Sequence, residues 1–354
     1  MQLKSKRHRN RHSMTLTVTV GLLCMLFGIA AISEDAVKAS EHGARTSEGI
    51  GNLLIGGEVD LSFRYRYEYV DQDGISDEAK ASTMRSRLSL QSGTYRNFDF
   101  FVEVDDVQEV GVDQFNSGAG NTPDRTQYPV VADPEGTEVN QIYIDYAASK
   151  GWTWRLGRQR INLDNQRFVG GVGWRQNEQT FDALSTVYQR GKVTVRYAYV
   201  WKVRRIFGED VPAGLHDQNG TQLLNVSGEM DRLGKITGYY YRIDNGDSLA
   251  ASTKTIGFRL SGRKDVYGFK TRYTGEYATQ TGIAHNPVRF DADYWNLEAG
   301  VIIGDFDIGL GWEVLTGDAN DSGKAFRTPL ATLHVFNGWA DKFLTTPAAG
   351  LDDR

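Results

Sequence analysis

Cysteine is almost missing from this chain. The single one, Cys24, lies inside an apolar run, and the remaining sequence has no thiol, disulfide or cysteine metal site. The six histidines are scattered, and His216, His285 and His334 show no H-E-x-x-H spacing. Neither a G-x-S-x-G elbow nor a phosphate loop occurs, and no motif pairs Asp164 or Glu178 with a second acid or base. These absences argue against an enzyme, and no cofactor or metal is expected. Beyond the N-terminus no apolar stretch reaches the roughly 18 residues of a membrane-spanning helix. A formal charge of −5 gives no basic field for nucleic acid. Prolines number only 7 against 39 glycines, a balance that suits strands and tight turns rather than disorder.

Residues 1–39 read as a signal peptide. Lys4, Lys6, Arg7, Arg9 and Arg11 precede the run from Val20 to Ile32, and Val37 and Ala39 suit cleavage before Ser40. The apolar run is short for an anchor of about 20 residues, and Leu23 is too large for a lipoprotein site at Cys24. The segment holds six basic and two acidic residues, so the chain from residue 40 carries −9.

What the chain does have is alternation. From Glu58 to Val70, Val59, Leu61, Phe63, Tyr65, Tyr67 and Tyr69 alternate with Asp60, Ser62, Arg64, Arg66 and Glu68. A strand with this pattern has one apolar and one charged face. The pattern recurs at 192–204, 266–279 and 306–314, and more weakly at nine other places: 83–94, 98–107, 139–148, 152–160, 180–190, 220–230, 234–244, 253–263 and 291–303. That makes about thirteen strands of about 10 residues, the length of a tilted strand crossing a bilayer. Turns such as Arg96-Asn97, Lys150-Gly151 and Gly304-Asp305 are short, whereas 109–138, 205–219, 280–290 and the chain from 316 are long and polar. A soluble sandwich or propeller also alternates. It does not explain apolar faces rich in aromatic residues near strand ends together with charged mid-strand faces on nearly every strand. The fold class expected is therefore all-β, an antiparallel transmembrane β-barrel of the bacterial outer membrane.

One stretch breaks the pattern. GRQRINLDNQRFVGGVGWRQNEQTFDA, residues 157–183, has four arginines and four glycines. This run resembles the bacterial alginate export family, as does Thr328-Pro329-Leu330-Ala331-Thr332-Leu333-His334 with its continuation Phe336-Asn337-Gly338-Trp339-Ala340-Asp341-Lys342-Phe343. The resemblance implies a monomeric outer-membrane barrel with an electropositive pore that passes an anionic polyuronate. Its partners would be an anionic polysaccharide or sugar acid and the lipid bilayer, with a periplasmic delivery protein left open. A porin for small solutes is the alternative. The chain departs from the pattern at its end, where GLDDR reads as a polar loop, and thirteen is an odd strand count. The barrel over 40–354 is accordingly expected to be truncated before its final strands, leaving two unpaired edges.

A path for anionic sugars needs fixed cations facing water, and arginine holds a carboxylate with a two-pronged fork. Strand parity puts Arg64, Arg66, Arg85, Arg87, Arg155, Arg196, Lys202, Arg204, Arg259, Arg263, Lys270 and Arg272 on the lumen side. The same parity puts Asp60, Glu68, Glu103, Asp105, Asp145, Glu276, Glu298 and Glu313 there. The set is either a selectivity path or an ion-pair ladder bracing a wide barrel. Arg158 and Arg160 continue a strand to the rim or lumen wall, Asp164-Asn165-Gln166 reads as a turn, and 161–179 is expected to fold towards the pore. Arg167 and Arg175 would then either meet a passing anion or pin the loop to lumen acids, with Asp182 as one such partner.

Overall fold

The computed structural model describes residues 51, 53, 56–336 and 344–354. The expected signal peptide and residues 337–343 of the second motif lie outside the described residues.

Among the described residues the chain forms one antiparallel sheet of 15 strands. In chain order these are β1 (Glu58–Val70), β2 (Ala79–Gln91), β3 (Phe98–Gln114), β4 (Gly136–Ala147), β5 (Trp152–Gln159), β6 (Thr180–Arg190) and β7 (Val193–Arg204). They continue with β8 (Leu215–His216), β9 (Thr221–Met230), β10 (Gly234–Ile243), β11 (Thr253–Val266), β12 (Phe269–Gly282), β13 (Asp291–Ile303), β14 (Phe306–Thr316) and β15 (Gly350–Asp353). Each strand pairs with the next, except that β9 follows β7 and the two-residue β8 hangs from β7. All thirteen segments found by alternation are strands, and β8 and β15 are additions. The C-terminal GLDDR is therefore not a plain loop: Gly350–Asp353 pairs with Glu313–Thr316 of β14.

Alternation sorts the side chains as a membrane barrel requires. Leu61, Phe63, Ile144, Leu156, Phe258 and Leu297 stand exposed on one face, where lipid covers them. Arg85, Glu103, Asp105 and Glu276 are buried on the other. The short turns all lie at one end of the sheet. At Arg96-Asn97, with φ of 49° and 67°, both central residues are left-handed, as a twisted two-residue hairpin demands. The long connections, 115–135, 160–179, 205–220 and 317–349, lie at the other end.

The sheet is not closed, because β1 pairs only with β2 and β15 only with β14. Successive antiparallel pairings make β1 and β14 run the same way. Antiparallel closure thus needs a strand between them, the place that β15 enters.

The candidate lumen site

The wall is interrupted where β5 ends. After Gln159 the chain turns inward, and Asp164 and Gln166, with φ of 50° and 66°, reverse it. The backbone N–H of Gln166 donates to the Leu163 carbonyl at 2.8 Å. The returning segment divides chemically into two halves. Its first half supplies apolar residues: Ile161, Leu163, Phe168 and Val169 join Phe181, Tyr294, Phe326 and Leu330 in a core against β6–β14. Phe168 meets Tyr294 edge-on, with centroids 5.2 Å apart. A second inward stretch, around 325–336, docks on this half. Gly170 donates to the Leu330 carbonyl at 2.8 Å, and Val172 to Thr332 Oγ1 at 3.1 Å.

The second half, 173–179, is polar and binds the opposite end of the sheet. Gln176 is fully buried. Its side chain accepts from Arg64 Nε at 2.9 Å and donates to Thr83 Oγ1 at 3.0 Å, while its backbone N–H donates to Asp133 Oδ1 at 2.8 Å. Glu178 gathers Arg87 (3.2 Å), Asn140 (3.2 Å), Arg160 and, at 3.7 Å, Arg85. Burial opposes the charge on Glu178, but Arg160 and Arg87 outweigh it and hold its carboxyl below the usual range. Arg66 reaches Asp133 at 3.3 Å and Glu68, and lies 4.3 Å above the Trp174 ring. Trp174 in turn stacks on His334 at 4.2 Å.

Among the described residues, six of the twelve cations that parity assigns to the lumen are neutralised there: Arg66, Arg85, Arg87, Arg155, Arg259 and Arg272. Arg87 holds Asp105 with two bonds of 2.6 Å, and Arg160 also reaches Glu103. Arg155 holds Asp145 with two bonds of 2.7 Å while its Cζ lies 3.7 Å above the Tyr143 ring. Arg259 pairs with Glu276, which also accepts from the Tyr239 hydroxyl at 2.9 Å. Arg272 binds Asp307 at 2.8 Å and sits 3.7 Å from Glu298. It reaches Asp307 because Gly309 has no side chain: a Cβ there would stand 2.5 Å from its Nη2. Arg167 is wholly buried against Glu313, and Arg175 lies 3.3 Å from Glu68. Arg64, Arg196, Arg263, Lys270 and Asp60 are different: among the described residues they form no ion pair, and Arg64 is held instead by the Gln176 side chain and the Gly173 carbonyl.

Arg196 lines a cavity of about 230 Å³ on the short-turn side of the inward segment. Arg155, Arg160, Gln159, Asn162 and Thr186 line it as well, with Ile161, Leu163 and Leu223 as its apolar side.

Lys202 and Arg204 depart from the expected parity. Val200 and Val203 are both fully buried on the inner face, with only two residues between them. The register shifts here, between Asp182 and Ala183, leaving Trp201 as the extra residue of a bulge. A bulge reverses the facing of everything beyond it. Lys202 and Arg204 therefore share the outer face with Arg158 and with Asp182, which is not the lumen acid expected because its neighbours Phe181 and Ala183 take the inner face, at the gap where β5 stops. There Asp182 accepts from Arg158 Nε and Arg204 Nη2, both at 3.1 Å, and Glu209 closes the cluster. Sequence reasoning missed Gln176, Asp133 and Asn162; neutral amides and a loop acid carry no periodic signal.

A model of the family described as alginate export matches residues 57–313. No curated protein matches the chain. Among solved structures, OpdK of Pseudomonas aeruginosa with vanillate superposes with a TM-score of 0.61 at 12% identity, over 75% of this chain and 69% of that one. OpdL of the same organism gives 0.60 at 16% identity, over 83% and 74%. OccAB4 of Acinetobacter baumannii gives 0.53 at 14% identity, over 74% and 67%. At these identities the likeness is one of fold, that of outer-membrane barrels.

Proposed function

The chain belongs to the alginate export family and forms a channel barrel of the bacterial outer membrane, and from that premise we propose that it passes an anionic polysaccharide or sugar acid along arginines of its inner face. The observation that carries this reading is Arg196, a lumen guanidinium with no carboxylate partner among the described residues, lining a water-accessible cavity beside Arg155 and Arg160. Arg155 and Arg160 beside it have spent their forks on Asp145, Glu103 and Glu178, so they brace the wall and the inward segment. A guanidinium with open N–H groups matches a carboxylate in shape and charge. The reading gives the chain no catalytic step and takes one copy per channel.

A porin selective for small acids is the second reading. It is favoured by the inward segment, which is fixed to β14 through Arg167 and to β1 through Gln176 and so lies across the lumen. Liposome swelling tests both. Proteoliposomes should admit sodium glucuronate faster than glucose of similar size. Equal rates would contradict either form, and the size at which oligouronates stop entering separates them.

A further inference from the structure

The cavity under the inward segment has the features of a binding seat rather than of a passage alone. Three arginines line it, but two are committed: Arg155 to Asp145 by two bonds of 2.7 Å, and Arg160 to Glu178 and Glu103. Arg196 offers all five of its donors. Asn162, on the roof, is exposed and its amide makes no hydrogen bond to the described residues. The side formed by Ile161, Leu163 and Leu223 is apolar. A volume of about 230 Å³ falls below the roughly 300–1,000 Å³ of sites that hold drug-sized ligands. It has room for one sugar ring.

We infer that this cavity seats a single sugar-acid unit, with its carboxylate on Arg196, a hydroxyl on the Asn162 amide, and its C–H face on the apolar side. The seat rests on the proposed function and adds a definite stop to it. Monomeric acids cross by a saturable route, and a longer chain presents one unit at a time to Arg196.

The test is calorimetric titration of the full chain in detergent with sodium glucuronate, and with glucose as the uncharged control. Wild type should bind glucuronate saturably and glucose not at all. Arg196→Ala should weaken binding at least about tenfold, the loss of one charge-assisted fork. Arg196→Lys should fall between, and Asn162→Ala should lose a few-fold. A β-sheet circular dichroism spectrum and a thermal midpoint equal to those of wild type show that each variant is folded. Unchanged affinity in Arg196→Ala overturns the seat. So does absence of saturable binding in wild type. If wild type fails to bind but keeps anion selectivity in bilayers, the seat falls and the proposed function stands; loss of both removes the two together.

Discussion

Arg167 and Glu313 lie 146 positions apart and meet side by side: Nε donates to Oε1 at 2.8 Å and Nη2 to Oε2 at 3.3 Å. Arg167 is completely buried, and Thr328 Oγ1 accepts a third bond at 3.2 Å. The pair ties the inward segment to β14. Removing one member of such a buried pair leaves the other without compensation. Arg167→Ala should therefore destabilise the protein by about 3–5 kcal/mol, read from denaturant unfolding by tryptophan fluorescence. Arg167→Met combined with Glu313→Leu should recover most of that loss. A single variant as stable as wild type would show that the tie carries no weight.

Glu178 makes the polar half of the segment acid-sensitive. Its carboxyl is held below the usual range, so its folded pKa lies under its unfolded one. Its stabilising contribution is complete above the ordinary value of about 4.3 and is lost as pH falls through the lower folded value. Current noise and protease cleavage within 173–179 should rise in that acid window. Glu178→Gln should show both at neutral pH, whereas a variant as quiet as wild type would sever the link.

Val172 has φ of 53°, a left-handed conformation that a β-branched residue strongly disfavours. Its N–H donation to Thr332 Oγ1 helps hold it there. Val172→Gly removes the steric penalty and adds back some unfolded-state entropy, for a net gain of about 1 kcal/mol. Denaturation midpoints measure it, and a lowered midpoint would mean the valine side chain contributes more than its backbone costs.

Gly309 leaves room for Arg272 to lie along the wall to Asp307. Gly309→Ala should lift the guanidinium off that carboxylate and into the lumen. The expected result is a stronger anion preference with little change in stability. A weaker preference would show that Arg272 does not face the conducting space.

The wall was legible in the sequence because each strand needs only its own residues to show period two, as Val59 to Tyr69 do. What joins strands is not local. The bulge at Trp201 adds one residue, and nothing in KVTVRYAYVWKVR separates it from plain alternation, so parity alone puts Lys202 and Arg204 on the wrong face. The inward course of 161–179 was visible in its turn residues and glycines. Its partners were not, since Gln176–Arg64 and Arg167–Glu313 depend on how the two ends of the sheet approach one segment. The short β15 was hidden because Leu351 is its only large apolar residue, too little for any pattern.

The most direct measurement is the reversal potential of single channels in a planar bilayer under a potassium chloride gradient, for wild type and Arg196→Ala. Wild type should prefer anions, with a clear shift towards cations when Arg196 is lost. Cation preference in wild type, or an identical potential in the variant, would contradict this.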